Sequence, residues 1–397
     1  MREMKDSGIE WIGEIPKEWN IIPTKYCFTV NNGSDPTTND GDTPVYGSGS
    51  KSFKTCIEFK EGPTVLLGRK GTVNIPQWID GRYWNVDTAF DVKPKGNYSL
   101  KFFYYTAICF DYENYSTQTA LPSMTQGNYL NIKLPYMSLS DQYRIVNFLD
   151  AKCAEIDALT ADIQTQIDIL EQYKRSVITE AVTKGLNPDV EMKDSGLKWI
   201  GKIPSSWNVM PNKYLMKKKK VICPVYNGED ILSLTMKGVI VRDLDAGGKM
   251  PTSFDGYQRL EPGNLLMCLF DIDVTPRCIG LIKQAGLSSP AYSQFELNGM
   301  GNAEYYCYYY TMLDNDKTLL HLAKNLRHSL TEDQLGAISV IVPPVQEQKI
   351  IADFLDAKCE EIDKVIAAKI EQLAIVDEYK KSLIYEYVTG KKEVPAI

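Results

Sequence analysis

Residues 4–19 read MKDSGIEWIGEIPKEW and residues 192–207 read MKDSGLKWIGKIPSSW, so one phrase occurs twice, 188 positions apart. A second phrase, NFLDAKCAEID at 147–157, returns as DFLDAKCEEID at 353–363, an offset of 206. Internal self-similarity of this kind is the sequence mark of repeated structural units. The pattern predicts that the chain holds two copies of one arrangement: a frame, an insert and a helical segment.

The inserts between the repeats differ from each other. We define residues 23–138 and 209–345 as the two variable segments, and residues 4–22 and 192–208 as the two frame segments. The two offsets differ by 18 residues, which makes the second variable segment about that much longer, and no convincing alignment joins the two. A duplicated frame with diversified inserts predicts two distinct recognition surfaces held in fixed geometry.

Each variable segment mixes short β-rich runs with Gly-, Asn- and Asp-rich turns, which predicts an α/β domain. The runs of the first are PVYGSG, PTVLLGRKGTV, YWNVDTAF and YLNIKLP, and those of the second are EDILSL, GVIVRDL, NLLMCLFDI and AISVIVPP. The stretch LKFFYYTAICF at 100–110 fits either a helix or a buried strand.

The segments that follow are predicted to be long helices. EQYKRSVITEAVTKG at 171–185 parallels DEYKKSLIYEYVTGK at 377–391, and two related amphipathic helices favour pairing with each other over packing onto a core alone. A helix from about 141 to 184 is ~60 Å long at 1.5 Å per residue, the length of roughly 15 to 20 base steps of DNA. The predicted apolar seams are Ile156, Leu159, Ile163, Ile167, Leu170, Tyr173 and Val177, and Ile362, Val365, Ile366, Ile370, Leu373, Val376, Tyr379 and Leu383.

Charge is distributed unevenly along the chain. The net charge of −7 argues at first against a polyanionic partner, because affinity for DNA rests largely on Lys and Arg. The variable segments are nevertheless near neutral, with 11 basic against 10 acidic residues in the first and 14 against 14 in the second. The acidity lies in residues 139–191, with 5 against 10, and 346–397, with 8 against 11. We therefore expect the helices to lie off any DNA and to face partner proteins.

Composition disfavours several classes of protein. The nine cysteines are scattered without the paired close spacings of a zinc site, and we expect reduced, mostly buried thiols. His321 and His328, the two histidines, have no cysteine nearby to complete a metal set. No stretch approaches the roughly 20 apolar residues of a membrane-spanning helix, and MREMKDSGIEW has no signal-like apolar run. We expect a cytoplasmic protein without a bound metal.

The layout and several phrases resemble the specificity subunits of type I restriction-modification systems. The resemblance covers nearly the whole chain and rests on the frames SGIEWIGEIPKEW and SGLKWIGKIPSSW, on PVYGSGS and VLLGRKGT, and on the exits IKLPYMSLSDQYRIVNFLD and ISVIVPPVQEQKIIADFLD. The PPxxEQ-like exit stands complete at 343–348, whereas the first copy keeps only PYMS at 135–138 followed by Asp141 and Gln142. The duplicated layout is more specific than any single phrase.

The resemblance implies an α/β fold with two globular target-recognition domains, separated by two long antiparallel coiled-coil helical spacers in a pseudo-twofold repeat. The expected recognition domains are residues 1–138 and 192–345, each including its frame segment. The expected spacers are residues 139–191 and 346–397.

The resemblance also implies a noncatalytic role. Each recognition domain of that family reads one half of a split, asymmetric double-stranded DNA target, and the spacers set the gap between the halves. Two modification subunits, which bind S-adenosylmethionine, dock on the helices and methylate adenine, and two restriction subunits add ATP-driven, magnesium-dependent steps. This chain is expected to bind none of these cofactors.

Residues that suit DNA contact are cations, amides and hydroxyls on loops. The Gly-rich loop at 46–51 and the turn at 68–72 place cations where the backbone can approach DNA closely. For each single residue a solvated surface position is an equal alternative. The candidates are Tyr46, Ser48, Lys51, Arg69, Lys70, Thr119, Ser123, Gln126 and Asn128 in the first variable segment, and Arg242, Lys249, Arg259, Arg277, Lys324, Arg327 and His328 in the second.

Two dense clusters stand out in the second variable segment. The run of four lysines is a phosphate-binding candidate as a block, because local charge density is what matters there, and solvation alone is the alternative. The tyrosines are expected to pack in the core rather than to stack on bases. The clusters are Lys217, Lys218, Lys219 and Lys220, and Tyr305, Tyr306, Tyr308, Tyr309 and Tyr310.

Three catalytic motifs are present only in fragments. Gly196 to Lys202 has P-loop spacing, but Ile203 stands where Ser or Thr must hold magnesium, and its twin at Gly8 to Gly13 is followed by Glu14. Glu-Met-Lys at 3–5 and 191–193 mimics a nuclease fragment without a preceding metal-binding Asp. We find no glycine-rich S-adenosylmethionine loop and no Asn-Pro-Pro-aromatic tetrad, and we expect no methylation by this chain alone.

Three alternative functions stay open. The recognition subunit of a related system, in which one partner both cuts and methylates, would differ only in its neighbouring genes. A duplicated protein-binding scaffold without a DNA role is favoured by the acidic balance and would bind its partner at high salt. An enzyme using Ser and Asp residues of a variable segment has no assembled nucleophile group to support it.

Overall fold

The chain is described from a computed structural model, which divides it into two compact units. Unit 1 comprises Met1–Thr165 with Ile370–Ile397, and unit 2 comprises Gln166–Lys369. The structure describes residues 2–49, 51–117, 119–246, 251–275, 277–322 and 329–395.

Unit 1 holds the first frame and the first variable segment in short strands and three helices. The strands are β1 (Met4–Asp6), β2 (Glu14–Pro16), β3 (Asn20–Pro23), β4 (Phe28–Asn32), β5 (Thr43–Tyr46), β6 (Lys54–Cys56), β7 (Lys60–Glu61), β8 (Thr64–Gly68), β9 (Gln77–Ile79), β10 (Arg82–Asn85), β11 (Ala89–Pro94) and β12 (Lys133–Tyr136). The helices are α1 (Leu100–Ile108), α2 (Tyr112–Tyr115) and α3 (Gln126–Asn131).

The core of unit 1 lies between a four-stranded antiparallel sheet and α1. The sheet has the order β4-β11-β8-β9, and every residue of β8 is buried. Helix α1 begins where the Ser99 side chain accepts a hydrogen bond from the Phe102 N–H. Phe102 and Phe103 then pack with Phe28 and Phe90 in one apolar cluster. The stretch that fitted either a helix or a strand is therefore a helix, whose aromatic face covers the sheet.

Two long helices extend from the variable segments, and each contributes to both units. They are α4 (Leu139–Lys184) and α7 (Val345–Val388). The remaining elements of unit 2 are β13 (Met192–Asp194), β14 (Lys202–Pro204), β15 (Asn208–Pro211), β16 (Met216–Lys219), β17 (Leu232–Thr235), β18 (Gly238–Val241), β19 (Gln258–Leu260), β20 (Leu265–Met267), β21 (Ile279–Leu281), β22 (Gly286–Ser288), β23 (Ser293–Leu297), β24 (Ser339–Val342), α5 (Ala303–Asn315) and α6 (Glu332–Ala337).

Unit 2 repeats the plan of unit 1 although the variable segments do not align. Its antiparallel sheet has the order β16-β23-β20-β21, which matches β4-β11-β8-β9 position for position. In both units the strand at the end of the frame segment pairs with the strand before the long helix, β3 with β12 and β15 with β24. The expected α/β fold with two globular domains and an internal repeat is confirmed.

The frames are hairpins, which explains their paired glycines. Strand β1 pairs with β2, and β13 pairs with β14. Gly8, Gly13, Gly196 and Gly201 all have positive φ, between 66° and 75°, a conformation that residues with a Cβ rarely adopt. The P-loop-like spacing of these glycines therefore serves two tight hairpin connections.

The exit phrase has a structural role that survives in both copies. Gln142 accepts a hydrogen bond from the Ser99 N–H at 2.7 Å, and Gln348 accepts one from the Asn302 N–H at 2.7 Å. Each amide also donates to the carbonyl oxygen five residues before it, at 3.1 and 2.8 Å. Ser99 and Asn302 cap α1 and α5. The glutamine thus ties the start of the long helix to the start of the core helix.

The long helices pair antiparallel within unit 1. The rings of Phe148 and Tyr387 lie 4.5 Å apart, and Lys380 Nζ lies 2.5 Å from Asp157 Oδ1. Position 148 therefore faces 387 and position 157 faces 380. Residue numbers increase along one helix as they decrease along the other, so the two helices are antiparallel.

The same order holds within unit 2. Lys174 Nζ lies 2.6 Å from Asp363 Oδ2, and a Cβ placed on Gly185 would lie 3.0 Å from Glu347 Oε1. Lys174 lies 206 positions before Lys380, and Asp363 lies 206 positions after Asp157, so the two ion pairs are equivalent. The expected antiparallel helical spacers are confirmed.

The predicted apolar seam is only partly buried. Ile156, Ile163 and Ile167 are buried, whereas the side chains of Leu159 and Tyr173 are about half exposed. A two-helix pair covers a narrow stripe of each helix, so apolar residues beside that stripe stay in solvent. The sequence pattern overestimated the width of the helix interface. Val365, Ile370 and Tyr379 of the second seam are likewise exposed.

Two further interpretations are settled by the structure. The run YLNIKLP is not entirely a strand, because its first three residues complete α3 before β12 begins; the Thr125 and Asn128 side chains form a capping box that starts this helix. Tyr305, Tyr306, Tyr309 and Tyr310 are buried, so the prediction of core packing is confirmed for these four. Tyr308 is half-buried, and its hydroxyl donates to Asp356.

The thiols also agree with expectation. All nine cysteines are free, and only Cys109 and Cys307 are half-buried rather than buried. None of the helices in the described ranges combines the length and apolar character that crossing a bilayer requires.

Candidate nucleic-acid interface

Three loops of unit 1 that carry predicted DNA-contacting residues converge beside the end of β8. They are the loops that follow β5 and β8 and the loop that precedes α3. The Gly71 N–H donates to the Pro122 carbonyl oxygen at 2.9 Å, and the Met124 N–H donates to the Arg69 carbonyl oxygen at 2.9 Å. These backbone bonds hold the second and third loops together as a short irregular ladder.

Gly71 is the meeting point of all three loops. A Cβ at this position would lie 3.5 Å from Ser48 Oγ and 3.7 Å from Leu121 Cδ1. Its φ of +81° is the backbone conformation that favours glycine. The turn therefore depends on glycine, and it draws the first loop against the other two.

We call this assembly the unit 1 loop cluster. Lys51 and Lys70 are exposed in it, while Arg69 donates to the Asp87 carbonyl oxygen at 3.3 Å. Cations and hydroxyls on closely approaching backbone are the groups that contact phosphates. The cluster gathers the predicted residues Ser48, Lys51, Arg69, Lys70, Thr119 and Ser123.

Three other predicted residues of unit 1 have structural partners. Tyr46 packs against the small apolar cluster around Tyr83. Gln126 donates to the Val30 carbonyl oxygen, and the Asn128 amide donates to the Tyr115 carbonyl oxygen at 3.0 Å. Their side chains hold the loops in place.

The sequence analysis missed several residues of the loop cluster. Buried Gln77 donates its amide to the Gly47 carbonyl oxygen at 2.9 Å and so fixes the first loop. Phe53 and Leu121 are 60% and 62% exposed in the loops. A search for polar and charged side chains cannot find apolar ones, and no local signal marked Gln77.

The lysine run of unit 2 is largely neutralised. Lys217 lies 3.4 Å from Glu296, Lys218 forms an ion pair with Glu332, and Lys219 lies 2.5 Å from Glu261. The hydrogen bond to Glu261 raises the pKa of Lys219 above its ordinary value. These lysines occupy β16, and their carboxylate partners come from the neighbouring strand β23, from α6 and from the loop before β20.

Arg259 is paired in a similar way. It lies 3.1 Å from Glu229 Oε1 and 3.1 Å from Cys223 Sγ. Hydrogen bonds from backbone N–H groups, that of Asn227 first among them, lower the pKa of Glu229 below its ordinary value. The predicted residues Lys249, Lys324, Arg327 and His328 lie outside the described residues.

The other two predicted arginines of unit 2, Arg242 and Arg277, lie on different elements. The Arg242 N–H donates to the Ile231 carbonyl oxygen at 2.7 Å just after β18. Arg277 precedes β21 and lines a groove of about 760 Å³. The structure therefore gathers the predicted residues of unit 1 into one surface, whereas the described ones of unit 2 lie on separate elements. Lys220, just beyond β16, is exposed.

The long helices expose apolar side chains in both units. Each of these side chains is at least 42% exposed, and most are about half exposed, among acidic neighbours. In unit 1 they are Tyr143, Leu159, Ile370, Ile375 and Tyr379, and in unit 2 they are Ile169, Tyr173, Val345, Ile350 and Val365.

No metal-binding group was found in the described ranges. In those ranges no three His, Cys, Asp or Glu side chains lie close enough together to hold an ion.

More than half of the chain matches a known protein family. The family model described as "Type I restriction modification DNA specificity domain" matches residues 16–168 and 291–372, which together are more than half of the chain. The matched ranges include β3 to β12 and most of α4 in the first copy, and α5, α6 and most of α7 in the second.

Two relatives from Methanocaldococcus jannaschii have similar sequences. One, assigned as the specificity subunit of type I restriction enzyme MjaX, is 24% identical over 289 residues, 68% of this chain and 62% of that protein. The other, the specificity subunit of type I restriction enzyme MjaVIII, is 23% identical over 292 residues, 70% of this chain and 66% of that protein. The chain thus spans just under two thirds of the length of these relatives.

A solved structure has the same fold. It comes from a structural study of complex assembly and conformational transition of the type I R-M system and is 14% identical in sequence. The likeness covers 95% of this chain and 99% of that chain, with a TM-score of 0.67.

Proposed function

Because the chain belongs to the type I restriction-modification DNA specificity family, we propose that it is the noncatalytic subunit that reads DNA sequence for a modification and restriction complex. The observation that carries this proposal is one frame and one sheet order supporting two unlike surfaces. Two surfaces of different sequence suit a target with two different halves.

Each unit reads one half of a bipartite, asymmetric target. In unit 1 the loop cluster is the reading surface, since its lysines and hydroxyls reach solvent from loops held by backbone hydrogen bonds. Phosphate contacts there would position the duplex, and base contacts would specify it. The antiparallel α4 and α7 set the gap between the half-sites.

The exposed apolar side chains of α4 and α7 dock two modification subunits. Single exposed apolar residues are ordinary; the support for docking is that such residues recur along both long helices. These partners supply the S-adenosylmethionine site and the methyl transfer, and two restriction subunits supply the ATP- and magnesium-dependent steps. A complex in which one partner both cuts and methylates would use the same surfaces.

Methylome sequencing tests the proposal. Cells that carry this gene together with its neighbouring modification gene are expected to gain a split methyladenine motif, and cells with either gene alone are not. No new motif, with the modification subunit shown to be active on another specificity subunit, would favour a protein-binding scaffold without a DNA role. The observation that favours the scaffold is that the lysines of β16 are paired with glutamates, which leaves less positive charge for DNA.

A further inference from the structure

The groove beside Arg277 is built entirely within unit 2. Its walls are the β17–β18 hairpin, β21, one face of α5 and the facing parts of α4 and α7. Gly280 of β21 allows the hairpin to lie against the sheet, because a Cβ there would come within 2.8 Å of Leu234 Cδ1 and Val239 Cγ2. The groove is therefore a consequence of packing rather than of a loose loop.

Five basic side chains line this groove, of which Lys174 on α4 is paired with Asp363 and four are not paired in this way. Arg175 comes from α4, Lys237 from the turn of the hairpin, and Arg277 and Lys283 from the two flanks of β21. In the described part of the chain none of the four forms an ion pair, whereas Lys217 to Lys219 and Arg259 all face glutamates.

Most carboxylates of the groove already have partners. Asp363 pairs with Lys174, Asp356 accepts a hydrogen bond from the Tyr308 hydroxyl at 2.7 Å, and Glu304 accepts one from the Asn302 amide at 2.8 Å. For Glu171 the described residues provide no partner. Hydrogen bonds from a neutral hydroxyl and a neutral amide leave the charges of Asp356 and Glu304 in place. Outside the pair of Lys174 with Asp363, four basic side chains therefore face three carboxylates, and the groove keeps a small excess of positive charge.

The size and chemistry of the groove suit a chain of phosphates. At about 760 Å³ it is far too large for one inorganic anion, and its cations stand on three separate elements. Thr311 and Asn315 on α5 add hydroxyl and amide groups to the wall. Arginine, lysine, hydroxyl and amide groups together are the usual partners of phosphate and sugar in DNA complexes.

We propose that this groove binds two or three successive phosphates of one DNA strand beside the half-site that unit 2 reads, as a contact that is independent of base sequence. The inference rests on the proposed function. It supplies unit 2 with a phosphate-contacting surface made of Lys237, Arg277 and Lys283, in place of the neutralised lysine run.

The test uses the full chain co-purified with its modification subunit. The triple variant Lys237→Gln, Arg277→Gln, Lys283→Gln is compared with wild type by fluorescence anisotropy, on a duplex carrying the methylated motif and on a scrambled duplex, across a series of salt concentrations. Each lost phosphate contact reduces the slope of log affinity against log salt by about 0.9. We expect the slope to become shallower by about 2, and affinity in low salt to fall ~10-fold or more on both duplexes.

A matched control makes the same charge change elsewhere. Lys93→Gln, Lys95→Gln, Lys133→Gln alters three exposed lysines of unit 1 that lie outside the loop cluster, and it is expected to leave the slope unchanged. An equal loss in this control would overturn the proposal, since it would mean that net charge alone matters.

Three other outcomes would also overturn it. If the slope of log affinity against log salt is unchanged in the groove variant, the groove does not contact phosphates. If the slope is unchanged and the modification subunit no longer co-purifies, the groove binds a protein partner instead. If the groove variant binds the motif duplex more weakly but binds the scrambled duplex as wild type does, the groove reads bases rather than phosphates. Failure of the proposed function looks different, because wild-type complex would then not distinguish the motif from the scrambled duplex.

Discussion

Gln348 is a single buried side chain that completes the hydrogen bonding of three backbone groups. It accepts from the Asn302 N–H at 2.7 Å and donates to the carbonyl oxygens of Pro343 and Met300 at 2.8 Å each. Gln348→Ala leaves these groups unpaired in the interior and is expected to lower the free energy of unfolding by about 3 kcal/mol. Urea denaturation measures the loss. Gln346→Ala, an exposed position two residues earlier, is the control, and an equal effect there would contradict the explanation.

The two frame tryptophans differ in one hydrogen bond. Trp207 Nε1 donates to Glu347 Oε2 at 3.0 Å, whereas the buried Trp19 Nε1 has no partner in the described residues. The equivalent of Glu347 is Asp141, a shorter side chain that instead accepts from the Ser138 hydroxyl at 2.7 Å.

Exchanging these two acids tests that difference. Asp141→Glu is expected to reach Trp19 and to raise the free energy of unfolding by about 1 kcal/mol, and Glu347→Asp is expected to lower it by a similar amount. Thermal melts of the two single variants are sufficient. A neutral or destabilising Asp141→Glu would show that chain length does not explain the unpaired indole.

At the scale of elements, the pairing of α4 with α7 rests on buried apolar side chains rather than on its ion pairs. Ile178 and Ile384, equivalent positions of the two helices, are 4% and 1% exposed. In the pairs of Lys174 with Asp363 and Lys380 with Asp157, the aspartates are more than half exposed. Exposed ion pairs contribute little because water screens them.

Substitution of either kind of contact separates these contributions. Ile178→Ala and Ile384→Ala are each expected to cost about 3 kcal/mol of unfolding free energy through lost burial and the cavity left behind. Lys174→Met and Lys380→Met are expected to cost under about 1 kcal/mol each. Chemical denaturation followed by circular dichroism provides the measurement. Lysine variants that cost as much as the isoleucine variants would refute this ranking.

At the scale of the whole molecule, the duplicated plan predicts that the two recognition surfaces are separable. Replacing residues 23–138 with the corresponding segment of another family member is expected to alter one half of the methylated motif and to leave the other half and the gap unchanged. Sequencing of the methylome determines both halves of the motif and the gap in one experiment. Changes in both halves would contradict independent recognition by the two units.

Helix length is predicted to act as the ruler of the complex. Adding one helical turn to both α4 and α7 keeps their antiparallel pairing and is expected to lengthen the gap of the motif without changing either half-site. A 1.5 Å rise per residue makes a four-residue insertion about 6 Å, close to two base steps. An unchanged gap would remove the ruler role of the helices.

The sequence alone determined the duplication, the helical spacers and the α/β character, because repeats and apolar periodicity are local properties that one chain displays directly. It also predicted the polar and charged residues of the unit 1 loop cluster, since Gly71 and its neighbours carry a recognisable turn chemistry, but it did not predict Gln77, Phe53 or Leu121. Only the tertiary structure decided that Lys217 to Lys219 face glutamates from β23, α6 and the loop before β20, and that Arg277 lies in a groove with Arg175, Lys237 and Lys283. Which charges neutralise each other depends on contacts between residues far apart in the chain, and no local pattern records such contacts.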